Sequence, residues 1–416
     1  MEVLHARCAG LDISKKDAKV CVRIAGAGRR KTVETVTTWG SMTSQILALR
    51  DHLAAQQVTC VVMEATSDYW KPFYYLLEDL PGVEVLLVNA HHVKTLPGRK
   101  TDVADATWLA QLGAHGLVRG SFVPPAEIRQ LRDLTRTRTA ITRERAREAQ
   151  RLEKLLEDAG IKLSAVASDI LGVSGRAMLE ALIAGDRDPA ALADLAKRRL
   201  RAKIPELTEA LNGRFGEHHA FLARVHLDLI DRHTAAINKL TARIEEVIEP
   251  FQGLRTLICT IPGIATLTAD VIIAETGADM TASRPPNTWP PGPAPHRGTT
   301  NPPERSSPAG PDRATLTFKA PSVPPRWPAH RTRAQNPRTY YGARYRRIAS
   351  RRGPKKANVA VQHSMLIAIW HMATTGTLYD DPGADYYTRL NPERARTRAI
   401  HQLQAMGYRV TLDNAS

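Results

Sequence analysis

Cysteine is scarce in this sequence: Cys8, Cys21, Cys60 and Cys259 are the only four in 416 residues. They lie far apart, with no C-x-x-C pair and no ligand histidines nearby, which argues against a disulfide scaffold and a zinc finger. Long apolar runs are missing too. Nothing approaches the roughly 18 consecutive apolar residues that span a bilayer, so no membrane association is expected. Met1 to Leu11 holds no apolar run behind a basic start, so no secretory signal is expected either. Acidic side chains are outnumbered, 42 Asp and Glu against 58 Lys and Arg, which leaves a formal net charge of +16. A pI near 9.9 calls for a polyanionic partner, nucleic acid before an acidic membrane surface. The expectation is a cytoplasmic, nucleic-acid-facing protein. At roughly 100–200 residues per domain, the length suggests two or three domains.

The first 115 residues alternate in character. Ala9–Ile13, Lys19–Ile24, Val58–Met63 and Val83–Val88 are short β-rich runs, and Met42–Ala55 and Trp70–Leu80 carry helical patterns. That alternation predicts an α/β sheet domain. A long helix is predicted over Pro125–Ala159 and a second over Glu206–Glu249, with Leu163–Lys203 as a smaller helical cap. The two long helices could pair as an antiparallel coiled coil or belong to one larger bundle. Phe251–Met280 begins another unit, with Ile261-Pro262-Gly263-Ile264 ahead of an apolar helix. Thr281–Arg338 then holds 15 of the chain's 27 prolines. Proline at that density removes backbone donors, so no packed core is expected there. Order should return at Thr339, with a helix over Val359–Thr374.

Four carboxylates stand out. Asp12 and Glu64 end apolar strands, while Asp102 and Asp105 sit three apart at a helix start, hence on one helix face. Singly, each could cap a turn or a helix. Together they would form an oxygen-rich, negative pocket that needs divalent cations, and Mg²⁺ favours such hard ligands. Two ions about 3.5–4 Å apart could clamp the oxygens of a phosphodiester under cleavage. A second cluster is basic: Arg344, Arg346, Arg347, Arg351, Arg352, Lys355 and Lys356, with Tyr340, Tyr341 and Tyr345 beside it. Phosphate neutralisation and base stacking want this mixture, although a solvated helix face would look similar. The Ile261–Ile264 turn could offer backbone N–H groups to a phosphate, a weak signal. His91-His92 and His218-His219 read as surface pairs.

In order along the chain, GLDISK at Gly10–Lys15, VMEAT-x-x-YW at Val62–Trp70 and VNAHHVK at Val88–Lys94 precede GRKTDVADATWLA at Gly98–Ala110. IPGIATLTADVIIAETG follows at Ile261–Gly277. This ordered set resembles the bacterial insertion-sequence transposases of the 110/1111 type, also described as DEDD transposases. The resemblance implies an RNase-H-like, resolvase-like catalytic domain over residues 1–120 and a helical coiled-coil region over 121–250. It further implies a mainly helical C-terminal transposase domain over 251–375, followed by a tail over 376–416. It makes Asp12, Glu64, Asp102 and Asp105 the Mg²⁺-binding tetrad. It also implies a homo-oligomer that acts on DNA, guided by a structured RNA, with a C-terminal serine as nucleophile.

That serine is missing. The family pattern wants H-N-E-S-A-G and then K-S-x-R-T-R-P-G-N between residues 281 and 338, and neither is present. If each codon is read one nucleotide upstream, Thr299–Glu304 can encode H-N-E-S-A-G and Ser307–Thr315 can encode K-S-S-R-T-R-P-G-N. Ala282–Ala294 can likewise encode R-F-P-T-A-E-H-L-A-S-W-A-G. Two compensating frameshifts would account for the whole proline-rich stretch, with the serine codon straddling Asn301 and Pro302. The reading is therefore a transposase impaired in this copy. A metal-dependent nuclease or junction resolvase using the tetrad alone, and a non-catalytic nucleic-acid-binding remnant, stand as alternatives.

Overall fold

The computed structural model describes residues 2–26, 31–65, 67–89, 93, 105–278 and 338–412. The chain divides into two compact units, Met1–Pro124 and Pro125–Ser416.

The first unit is built on a mixed five-stranded sheet: β1 Arg7–Ile13, β2 Asp17–Ile24, β3 Val33–Gly40, β4 Cys60–Glu64 and β5 Glu84–Val88, in the order β3-β2-β1-β4-β5. β1 runs antiparallel to β2, and β2 to β3, while β4 lies parallel to β1 and β5 parallel to β4. Three antiparallel strands followed by two parallel ones make an RNase-H-like sheet, as expected. Among the described residues, helices α1 Thr43–Ala55, α2 Trp70–Leu77 and α3 Asp105–Ala114 cover it. The two-residue period of a strand sorts its side chains between the faces. Ala9, Leu11 and Ile13 pack with Ile46, Leu49 and Leu53 of α1 and Phe73 and Leu77 of α2. Cys8, Cys60 and Val62 pack with Leu109 and Leu112 of α3 on the other face. Both faces of the central strands are buried, so β1 and β4 read as continuous apolar runs. The edge strand β3 was not anticipated. Its residues are mostly exposed, Val33 and Val36 among them, and it has no inward face to impose alternation.

The second unit is helical. Its two longest helices, α4 Ala126–Asp158 and α9 Glu217–Val247, flank four short ones: α5 Leu163–Val166, α6 Val173–Ala184, α7 Pro189–Asp194 and α8 Ile204–Ala210. α4 and α9 run antiparallel, as the pairings show: Arg138 Nε donates to Thr241 Oγ1 at 2.8 Å, Arg145 Nε to Thr234 Oγ1 at 2.8 Å, and Glu148 meets His226 at 3.0 Å. The single helix expected over Glu206–Glu249 is in fact two. Between Ala210 and Glu217 the chain turns across the end of α4, where Arg214 N–H donates to Ala159 O at 2.6 Å. Gly213 makes this approach possible, since a Cβ there would lie 2.6 Å from Ala159 O.

Beyond α9, α10 Gln252–Cys259 and α11 Thr266–Thr276 form a helical hairpin. Its turn contains Gly263 at φ +96°, a left-handed position that glycine fills without strain. This hairpin shares a core with α12 Tyr340–Arg352 and α13 Pro354–Thr375, through Ile258, Ile261, Ile273, Tyr341, Val361 and Ile369 among others. The helix expected over Val359–Thr374 is the body of α13. The chain closes with α14 Tyr386–Leu390 and α15 Pro392–Ala405. Of the proline-rich stretch 281–338, only Arg338 is among the described residues.

Candidate active site

The parallel register of β1 and β4 fixes two of the four carboxylates. Leu11 pairs with Met63, so the next residues, Asp12 and Glu64, stand level at the carboxyl ends of neighbouring strands. Strands in a sheet lie about 4.8 Å apart. Both acids are half-buried. Asp12 is two residues on from Gly10, and Glu64 two on from Val62, so each shares its neighbour's face of the sheet. That face carries α3: a Cβ at Gly10 would meet Ala106 O at 2.1 Å and Ala110 N at 2.4 Å, and Val62 touches the position of Gly113. Ala106 lies over Gly10 and Gly113 over Cys8 and Val62, so the end of α3 that carries Asp105 lies toward the strand ends that bear Asp12 and Glu64.

The electrostatics agree with this placement. Burial pushes the Asp12 carboxyl above the usual carboxylate range, and the charge of Asp105 raises it further. Lys19, the cross-strand partner of Asp12 on β2, works in the opposite direction without cancelling the rise. Among the described residues, no three His, Cys, Asp or Glu side chains form a group that could hold a metal ion. Asp102, the fourth expected carboxylate, lies outside the described residues.

Residues 9–161 match a transposase family, the DEDD transposases of the IS110 type. The chain carries an IS110-type DEDD transposase domain. The match takes in the sheet from Ala9 onward, both strand-end acids, Asp105 and all of α4. The matched family is one of DNA-cleaving recombinases, and a domain of this type implies DNA transposition and DNA binding. A search of curated proteins found no match to the chain. No helix among the described residues is long and apolar enough to cross a membrane.

Two residues that bear on the site were not singled out from sequence: Lys19, which faces Asp12, and Gly113, which lets α3 pack closely on the sheet. Each becomes legible only with the register in hand: Lys19 lies opposite Asp12, and a Cβ at Gly113 would meet Val62 at 2.5 Å and the Cys8 sulfur at 2.7 Å.

The basic block occupies the end of α12 and the start of α13, and its members are not equivalent. Arg344 is half-buried, its Nη1 donating to Tyr340 Oη at 3.3 Å and Tyr387 Oη at 3.1 Å. The Arg347 guanidinium lies 4.3 Å above the Tyr387 ring. Arg346, Arg351, Arg352, Lys355 and Lys356 are exposed, the last four flanking Gly353, where φ of +80° separates the two helices. The adjoining tyrosines, read as stacking surfaces, are drawn inward instead. Tyr341 is buried and stacks on Tyr379, and Tyr340 stacks on Tyr387. Burial pushes the hydroxyls of Tyr340 and Tyr341 up to about 12. The Ile261–Ile264 turn is likewise occupied with packing. Ile261 and Ile264 are buried, and the Ile264 N–H is bonded to Ile261 O at 3.1 Å.

Proposed function

We propose that this chain is the transposase of an insertion sequence, which cleaves and exchanges DNA strands in a Mg²⁺-dependent reaction. Asp12, Glu64, Asp102 and Asp105 would hold the ion. The observation that carries the reading is the level placement of Asp12 and Glu64 on the sheet face covered by the helix that carries Asp105. The donor chemistry fits: all four residues are carboxylates, and the Asp12 carboxyl, raised first by burial and then by the charge of Asp105, is one whose ionised form a dication would favour. Bound there, Mg²⁺ would stabilise the charge that develops on a phosphodiester under attack. The strand register sets Asp12 and Glu64 at one height, both half-buried, and Lys19 lowers the cost of charging Asp12.

Under the same proposal, Arg344, Arg346, Arg347, Arg351, Arg352, Lys355 and Lys356 serve nucleic acid, with Arg351, Arg352, Lys355 and Lys356 meeting phosphates directly. α4 and α9 form a coiled-coil arm, the protein works as a cytoplasmic homo-oligomer, and a structured RNA guides it. This copy is impaired. A serine nucleophile needs surroundings that hold it within roughly 0.5 Å of line with the phosphate, and Asn301-Pro302 supplies no hydroxyl. The test supplies Mg²⁺, guide RNA, donor and target DNA to the chain and to a version with the shifted frame restored across 281–338. The chain as it stands should bind and at most nick, and Asp12→Asn or Glu64→Gln should abolish nicking. The restored version should form a covalent protein–DNA adduct and recombine. Recombination by the unrestored chain would overturn the impairment, and nicking insensitive to both acid substitutions would overturn the active site.

A further inference from the structure

The last helix, α15, is anomalous in what it leaves uncovered. It runs for 14 residues from Pro392 to Ala405, and none of them is buried. Local devices support it: the Asn391 side chain accepts from Arg394 N–H at 3.1 Å, and Glu393 pairs with Arg396 one turn on. Such caps and pairs contribute tenths of a kcal/mol to about one each, and isolated helices of this length are marginal in water. A helix that buries nothing in its own fold has a face to offer elsewhere.

Its two faces differ in chemistry. Arg394, Arg398 and His401 recur at i, i+4 and i+7, which places them on one side of the helix. None of the three makes an ion pair among the described residues, whereas Arg389 is taken by Asp385 and Arg396 by Glu393. Ala395, Ala399, Leu403 and Met406 fall on the opposite side, with Leu403 40% and Met406 60% exposed. Between residues 391 and 412 four arginines face a single acid, Glu393. A second copy of the same helix would bring arginine against arginine. A polyanion with regularly spaced charges is complementary to this face.

We propose that α15 is a second nucleic-acid contact, separate from the Arg344–Lys356 block, in which Arg394 and Arg398 meet backbone phosphates and His401 adds a ring donor. Phosphate contacts of this kind position a protein on its substrate without reading sequence. The basic tail thus extends the footprint of the chain on nucleic acid and gains its own order from the contact.

The test uses the full chain and an Arg394→Gln/Arg398→Gln double variant, titrated against a random-sequence duplex DNA and a duplex RNA over a range of salt. Each lost phosphate contact lowers the slope of log affinity against log salt by about 0.9, so the double variant should lose about 1.8 on DNA. A loss on RNA as well would show recognition of phosphate in either duplex, and a loss on DNA alone would identify the partner as DNA. Amide exchange over residues 392–405 should slow when the unmodified chain binds duplex, and should not slow in the variant. An unchanged slope with unchanged exchange overturns the inference. So does a result in which Leu403→Ser alters the mass of the particle in solution while the arginine pair has no effect, because the occupant is then a second copy. Binding of α15 to anionic phosphatidylserine vesicles with no effect on nucleic acid overturns it too. If Ala replacements in the Arg351–Lys356 block still weaken binding in that case, the proposed function stands without α15.

Discussion

Gly10 is the point on which the acidic rim turns, and replacing it by alanine tests the geometry directly. Its missing Cβ would lie 2.1 Å from Ala106 O, 2.4 Å from Ala110 N and 2.9 Å from Leu109 Cβ. The two nearest atoms belong to the backbone of α3, which cannot rotate away as a side chain can. Ordinary contact begins at 3.4 Å, so the shortfall toward Ala106 O is 3.4 − 2.1, or about 1.3 Å. Helix α3 must therefore back away from β1 by roughly that distance and carry Asp105 with it. Overpacking of this kind costs about 1–3 kcal/mol. Misplacing a catalytic group by about 1 Å can cost on the order of 100-fold in rate. Urea unfolding of Gly10→Ala should show the lower midpoint, and Mg²⁺-dependent nicking should fall by about two orders of magnitude. Gly253→Ala is the control. It lies in α10 with nothing within 4 Å of its Cβ position, so it should leave nicking unchanged and stabilise by about 0.5–1 kcal/mol. If Gly10→Ala matched the unmodified chain in both midpoint and nicking, the close approach of α3 to β1 would be refuted.

Asp12→Asn should stabilise the metal-free protein at neutral pH. The folded-state carboxyl is raised, so its contribution is fully present below the unfolded value of about 3.9 and is lost as pH rises through the folded value. Thermal melts of the two proteins should thus separate near pH 7 and converge toward pH 4, and a less stable variant at pH 7 would contradict the account. Arg255→Met removes the partner of buried Asp270, to which the guanidinium comes within 2.8 Å, and should cost about 3–5 kcal/mol in urea unfolding. Arg255→Met/Asp270→Leu should recover much of that loss, and equal instability of single and double variants would show that the pairing is not its source. Replacing Arg351, Arg352, Lys355 and Lys356 by alanine should weaken duplex binding across sequences and flatten the salt slope by up to about 3.6, and an unchanged slope would reduce the block to a solvated face.

The parts legible from sequence were those with a buried partner on each side. β1, β2, β4 and β5 announce themselves because helices cover both faces, and the strand-end positions of Asp12 and Glu64 follow directly. Asp105 lies in α3, on the helix its spacing suggested, while Asp102 lies outside the described residues. β3 escaped because an edge strand with mostly exposed residues carries no alternation. The break between α8 and α9 escaped because apolar periodicity continues through Leu211 and Phe215, and only the approach of Gly213 to Ala159 O shows why the helix must end. Composition also misread the tyrosines beside the basic block. An aromatic next to arginines looks the same in sequence whether it faces a base or, like Tyr341, another tyrosine in the core.

The α4–α9 pair has its buried side chains at its two ends. Ile128, Leu131, Thr135, Ile244 and Ile248 are buried at one end, and Glu148, Leu152, Leu156, Ala223, Leu227 and Ile230 at the other. Between Thr135 and Glu148 on α4, and between Ile230 and Ile244 on α9, no residue is fully buried, and arginine–threonine rungs join the helices. Such a stretch acts as a spacer between two cores, and its length is a free parameter of the design. Inserting seven residues into each helix there would lengthen it by about 10 Å while nearly preserving the phase of both ends. Inserting two would turn one core by more than half a revolution against the other. Natural variation in this arm should therefore come in steps close to whole heptads, matched between its two helices.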